Sequence, residues 1–443
     1  MSKASAKGRY EPLRRPQIHA RDLGIKPGDD ARSALQSALD RLVEKGGGTL
    51  TIGDRWRCEH LVIKGSQIEI NGAGGTLIDC RITITQEAAD IVIRDLTLLE
   101  TSGDAASYLL DVSGTGCYFS GLKLEKRPFA GGYQGYLRSK SGRCRFEDLS
   151  LRGSNGLFVA GHDHVFDGFH FISTMRRDFG GDDAFAIKGA GSLTRNIDIR
   201  NGTVRGFAAA ISIGSEIGSN TEFPGQGAVR NVTVSNVTAD RCQMLAFIKP
   251  GALIYDWRNG LVENVRLTDM RLVDPDGFLF ARGLVINAAR GAVVRNISAR
   301  NILIVARART QGVMQTAAVD IVIRSQLPAA TIKNVEIAVD FAGGGEAGFP
   351  VDHIVRVEKA APDIGWMSNI KLDVTGSHAR ISGIHIGAGL DNAVSIHKAR
   401  LTAIGLDPPS SLGGAGIWAD SKFHQNDVSI ITTNAPSRGG SAL

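Results

Sequence analysis

Three stretches decide the fold: "NVTVSNVT" (Asn231–Thr238), "NVRLTDMRL" (Asn264–Leu272) and "NISARNILI" (Asn296–Ile304). Each begins with Asn, alternates apolar and polar residues, meets a second Asn or Asp, and alternates again. Alternation of period two is the mark of a strand with one face buried. The Asn or Asp interrupting it is a residue that tolerates left-handed backbone and marks a bend. Working outward, the same text recurs in "IVIRDLTL", "YFSGLKL", "RFEDLSL", "VFDGFHF" and "NIDIRNGTV". The bend residues are Asp95, Gly121, Asp148, Gly168, Asn201, Asn236, Asp269 and Asn301, separated by 26, 27, 20, 33, 35, 33 and 32 residues. A second ladder marks strand entry at Asn196, Asn231, Asn264, Asn296, Asn334 and Asn369.

Strand-built repeats of this length, with Asn, Asp or Gly at one corner, predict the coils of a parallel β-helix. The fold class expected is all-β: a right-handed, single-stranded parallel β-helix, a solenoid. Unequal gaps place loops of different size at fixed corners. Ten or so coils, each rising about 4.8 Å, predict a rod roughly 50 Å long. A β-sandwich with irregular strands is the competing architecture, and the shared bend positions argue against it.

One amphipathic helix precedes the repeats. In "ARSALQSALDRLVEK" (31–45), Ala31, Ala34, Leu35, Ala38, Leu39 and Leu42 recur at helical spacing. Asp29 or Asp30 is positioned to cap its start, and "GGG" at 46–48 ends it. It is expected to cover the open N-terminal end of the rod. The division expected is an arm and capping helix over 1–48, β-helix over 49–375, and last coils or a C-terminal cap with a polar tail over 376–443.

Composition bounds the partners. The chain has 443 residues, 54 Gly, 13 Pro and a net charge of +6. Its Lys and Arg are interspersed, which argues against nucleic acid. A mild basic excess is compatible with an acidic polysaccharide, or is simply a solvated surface. The five cysteines lack CxxC spacing and predict buried free thiols rather than zinc ligands or a disulfide framework. No metal or cofactor is expected. No run of about 18 apolar residues suggests a membrane span. "MSKASAKGRYEPLRRP" has no apolar core of a secretory signal. Sequons at Asn201, Asn231, Asn236 and Asn296 read as strand-turn Asn rather than glycan sites.

The stretch that invites chemistry is "GGDDAFAIKG" (180–189). Two adjacent carboxylates are either an acid/base site or a turn that favours Asp. Followed by "AAAISIGSEIG" and "AFIKP", it resembles the polygalacturonase family of glycoside hydrolases, within the pectin-lyase-like superfamily. That family carries N-T-D-G, G-D-D, G-H-G-I-S-I-G-S and R-I-K segments on successive coils. The opening "DLGIKPGDDARSALQSALDRLVEKGGGTLTIG" resembles the start of phage tailspikes. The resemblance implies Asp182 as acid and Asp183 as base, with Gly180 and Gly181 bending the backbone so that both reach one cleft. It implies Lys249 as a substrate contact, holding a carboxylate or hydroxyl. It also marks departures: Asn155, in "GSNG", stands at a carboxylate position, Ala209 at the histidine, and Phe247 at the arginine.

Around the pair, Arg176 and Arg177 are loop charges or a clamp for an acidic sugar, and Asp178 is a candidate substitute carboxylate. Lys188 is placed to face the same groove. Tyr133, Tyr136, Tyr255 and Trp257 pack locally or stack on sugars, with Tyr255 carried as a substrate-binding candidate. His162, His164 and His170 are candidates for a general base, or are simply alternating histidines on a solvated strand, the commoner case. The expected function is a depolymerase hydrolysing an acidic or bacterial surface polysaccharide. Two alternatives stand beside it: a non-catalytic glycan-binding spike of a phage-like particle, and a polysaccharide lyase. A homotrimer and a virion-associated or extracellular location go with these readings, and a cytoplasmic one stays open.

Overall fold

The computed structural model describes residues 16–26, 29–102, 108–126, 132–174, 181–189, 192–214, 227–250, 259–274, 283–306, 317–324, 329–343, 351–361, 363–404 and 416–432. The chain winds as a right-handed parallel β-helix. Two sheets, of 19 and 13 strands, run the length of the rod, and the pairings between successive coils are parallel. Thirteen stacked strands at about 4.8 Å give a rod on the order of 60 Å. That is longer than the repeat text indicates. The terminal coils, such as His60–Ile63 and Ile417–Ala419, lack the Asn or Asp mark that makes the others readable.

The bend residues do what their side chains allow. All eight have positive φ, between 51° and 76°. In the early coils the bend separates two short strands, such as Tyr118–Ser120 and Lys123–Glu125. Later it lies inside one long strand, such as Leu193–Arg205. The entry Asn residues are also left-handed, at φ 52° to 58°. Each donates its amide to the residue one coil below: Asn231 to Asn196 at 2.9 Å, Asn264 to Asn231 at 3.0 Å, and Asn296 to Asn264 at 2.9 Å. The sequon residues Asn201, Asn231, Asn236 and Asn296 are therefore committed to stacking.

Inward side chains form one continuous core along the axis. Phe119, Phe146 and Phe166 stack coil upon coil, with centroids 4.3 and 4.8 Å apart. The five cysteines are buried and free. The helix spans Arg32–Glu44 and buries Leu35, Ala38, Leu39 and Leu42. Its N-cap is Ala31, without a side-chain cap, while the Asp30 carboxylate accepts the Arg32 N–H at 3.0 Å. Among the described residues no helix is long and apolar enough to cross a membrane.

The histidine expectation needs correction. His164 is fully buried, hydrogen-bonded to Ser141 Oγ and the Ala160 carbonyl. Asp163, beside it, has φ 59°, so the simple alternation is broken there and His164 turns inward. His162 pairs with Asp163 and His170 with Thr203; both lie on the 19-stranded sheet, whereas the Asp pair is on the other.

Candidate functional site

The site is built on the 13-stranded sheet. Gly181–Lys188 lies between Leu157–Val159 and Phe207–Gly214. Ala184, Phe185 and Ile187 belong to the core, whereas Asp183, Ala186 and Lys188 do not. Two consecutive inward residues mark a corner, so the outward order is 183, 186, 188 rather than strict alternation. This puts Asp183 and Lys188 on the same outer face despite their odd spacing.

There the Asp183 carboxylate sits 3.8 Å from Lys188 Nζ and 3.9 Å from Lys249 Nζ. Asp183 is 3% exposed and Lys188 2%, so this is a buried charge cluster, not a rim contact. Lys249 also lies 4.7 Å over the ring of Phe247. Asp182 differs from its neighbour. It reaches solvent, accepts the Tyr133 hydroxyl at 3.3 Å, and its backbone N–H donates to Asn155 Oδ1 at 3.2 Å. Partial desolvation, and then the negative charge of Asp183, push its carboxyl above the usual Asp value; Lys249, Lys188 and Tyr133 act in the opposite direction.

The sequence-derived candidates thus converge in part. Asp182, Asp183, Lys188, Lys249 and Asn155 form one connected constellation. Arg176, Arg177, Asp178, Tyr255 and Trp257 lie outside the described residues. The "GSNG" segment has its own constraint. A Cβ on Gly156 would lie 1.8 Å from the Ala184 carbonyl oxygen, so only glycine lets this coil approach the strand of the pair. Ala209 is the cross-strand partner of Asp183 and is fully buried, so the position the resemblance gives to histidine holds a small apolar residue beside the Asp183 carboxylate.

Two features escaped the sequence. Ser212, inside "AAAISIG", is the neighbour of Ala186 in register, fully buried, with a hydroxyl lacking a partner among the described residues. Further along the same outward row, Asp320, Arg356, His385 and Trp418 stand in register on successive coils. Arg356 grips Asp320 with two hydrogen bonds of 2.9 Å, and His385 stacks on Trp418 at 4.7 Å. Burial lowers the His385 pKa. The available signal was a charged residue at an outward position of an apolar run, repeated in phase. Among the described residues no group of His, Cys, Asp and Glu is arranged to hold a metal ion.

No protein-family profile matches the chain, and no curated protein is similar to it in sequence. Its fold does match solved structures. The tailspike protein of E. coli bacteriophage HK620 in complex with pentasaccharide aligns at TM-score 0.54 and 12% identity, over 94% of this chain and 80% of that one. A double mutant of that tailspike, also with pentasaccharide, aligns at 0.52 and 13% over the same shares. A second double mutant aligns at 0.55 and 13%, over 94% of this chain and 78% of that one. The shared property is the fold. At such identity the likeness extends no further.

Proposed function

We propose that this chain acts on a polysaccharide, hydrolysing glycosidic bonds at a polygalacturonase-like centre on the outer face of the 13-stranded sheet. One observation carries the reading. Asp182 faces solvent with its carboxyl held toward the protonated form, directly beside a buried carboxylate flanked by two ammonium groups. Hydrolysis needs such a division, an acid at the leaving oxygen and an ionised partner. Asp182 is the acid and Asp183 the partner carboxylate. Lys249 and Lys188 hold Asp183, and Asn155 holds the Asp182 backbone. Tailspikes of the same fold are solved with oligosaccharides bound, which supports a glycan as ligand. By the same analogy the chain is a virion-associated or extracellular spike, and a trimer.

The test is a glycan panel with mass analysis of products, repeated on Asp182→Asn. Shortened products from the native chain, abolished in the variant, are expected. Full activity in the variant overturns the assignment.

A specific observation favours a second reading, a spike that binds without cutting. The buried Asp183 carboxylate has two ammonium neighbours within 4 Å and little access to water, and Asn155 replaces the further carboxylate. Tight binding with no shortened glycan from the native chain selects this reading.

A further inference from the structure

The outward row that passes through Ala186 and Ser212 changes character one coil earlier. There it carries Phe158 and, before that, Tyr136 and Asp111. Tyr136 and Phe158 are half-buried, with ring centroids 5.3 Å apart and planes inclined by 32°. Tyr133 meets both edge-on, at 5.8 Å each, and its hydroxyl is the donor to Asp182. On the other side, Arg138 lies 4.6 Å over the Tyr136 ring while Asp111 holds its guanidinium at 2.7 and 3.0 Å.

We propose that Tyr136 and Phe158 form a stacking platform for a neutral pyranose, placing one sugar of the glycan on the N-terminal side of Asp182. This rests on the glycan-directed reading of the site. The side chains are on the outer face, away from the core that the inward residues of the same strands already fill. Adjacent, partly exposed aromatic rings with a charged rim are what a recognition surface shows. Ring faces suit the C–H face of a sugar, and the polar tips suit its hydroxyls. Ala186, fully buried, follows Phe158 in the row and lies three residues past Asp183 on the same strand. A sugar resting on the platform leads its next linkage toward Asp182, and Tyr133 joins the two.

The class follows from charge. Arg138 is the cation at the N-terminal edge of the platform, over one face of Tyr136 only, and the Asp111 carboxylate already neutralises it in a two-point contact. Among the described residues Arg81 is a further cation nearby, 5.0 Å over Tyr108, whose ring meets Tyr136 edge-on at 5.1 Å. The rim therefore presents hydroxyl-matching donors and acceptors rather than an uncompensated positive charge. A neutral or N-acetylated sugar fits this position better than a uronate.

The experiment measures equilibrium binding, without cleavage, in an Asp182→Asn background. Its probes are neutral and N-acetylated oligosaccharides of bacterial surface type beside oligogalacturonate. Tyr136→Ala and Phe158→Ala are each expected to weaken the best neutral ligand by about tenfold, the worth of one aromatic contact. Tyr136→Leu, which keeps apolar volume, should weaken it similarly with the melting temperature retained, and Tyr136→Phe should retain binding. Unchanged affinity in Tyr136→Leu overturns the platform. Preference for oligogalacturonate, lost in Arg138→Met, overturns the neutral-sugar assignment. Binding by no probe overturns the platform too. Failure of cleavage by the native chain, with ring-dependent binding intact, overturns hydrolysis and leaves the platform standing.

Discussion

Asp182 and Asp183 are neighbours in sequence and opposites in environment, and the difference sets what each substitution does. Asp183 compensates Lys188, which is 2% exposed, and Lys249. Replacing it by Asn removes a carboxylate from beside the buried Lys188 ammonium and the partly exposed Lys249, a change that costs about 1–3 kcal/mol. Asp182→Asn, at a solvent-facing position, should stay within about 0.5–1 kcal/mol of the native chain. Denaturant unfolding of the two variants checks the contrast, and equal losses refute it. The same geometry sets a pH effect. A general acid works while protonated, so activity falls as pH rises through the Asp182 value, which is raised by desolvation and by Asp183. Asp183→Asn removes that second cause and leaves the two lysines, which favour the ionised form. The titration of the Asp182 carboxyl, followed by carboxyl-carbon NMR, should then move to lower pH. A titration that stays in place means that Asp183 does not raise the Asp182 value.

At the scale of the element, the Asn ladder makes a prediction separable from function. Asn264 donates to Asn231 and accepts from Asn296, at φ 58°. Asn264→Ala removes two hydrogen bonds and the short polar side chain that eases left-handed backbone, together about 2–3 kcal/mol. Asn264→Gly loses the bonds but not the conformation, and should cost about 1 kcal/mol less. Urea unfolding gives the order, and Ala no worse than Gly would show that conformation contributes nothing. This ladder is also why so much of the fold was legible. A left-handed corner admits few residue types, so Asp95, Asn201 or Asp269 announce the bend in the text itself. Asp182 and Lys188 lie on one strand, Gly181–Lys188, and Lys249 just past the end of another, Met244–Ile248; their grouping was expected from the resemblance, not from alternation. The contact between Tyr133 and Asp182, and the row from Asp320 to Trp418, were not legible. Those side chains are brought together across coils, and the number of loop residues between coils sets a phase that alternation alone does not carry. His164 shows the same limit locally, since one left-handed residue inverts the expected facing.

For the whole molecule, the ends decide whether a solenoid remains a single particle. A parallel β-helix exposes a sheet edge at each terminus unless something pairs with it. At the N-terminal end the 13-stranded sheet stops at His60–Ile63, and the capping helix lies against that strand. The contact is specific. Gln36 Nε2 donates to the Val62 carbonyl at 2.9 Å, and Gln36 Oε1 accepts the Val62 N–H at 2.8 Å. One side-chain amide thus stands in for the missing coil. Around it, Leu35, Ala38, Leu39 and Leu42 close the core, and Val43 packs on Gly65. Gln36→Leu keeps the volume and removes both hydrogen bonds, leaving a strand edge unsatisfied, a loss of about 1–3 kcal/mol. Because each coil contacts its immediate neighbours, the loss should remain local. Hydrogen exchange should quicken at Val62 and the adjoining coil, Arg81–Ile84, while the coils around Asn264 keep their protection. Light scattering should show concentration-dependent association through the opened edge. Uniform loss of protection along the rod would mean that the helix supports the whole solenoid rather than covering its end.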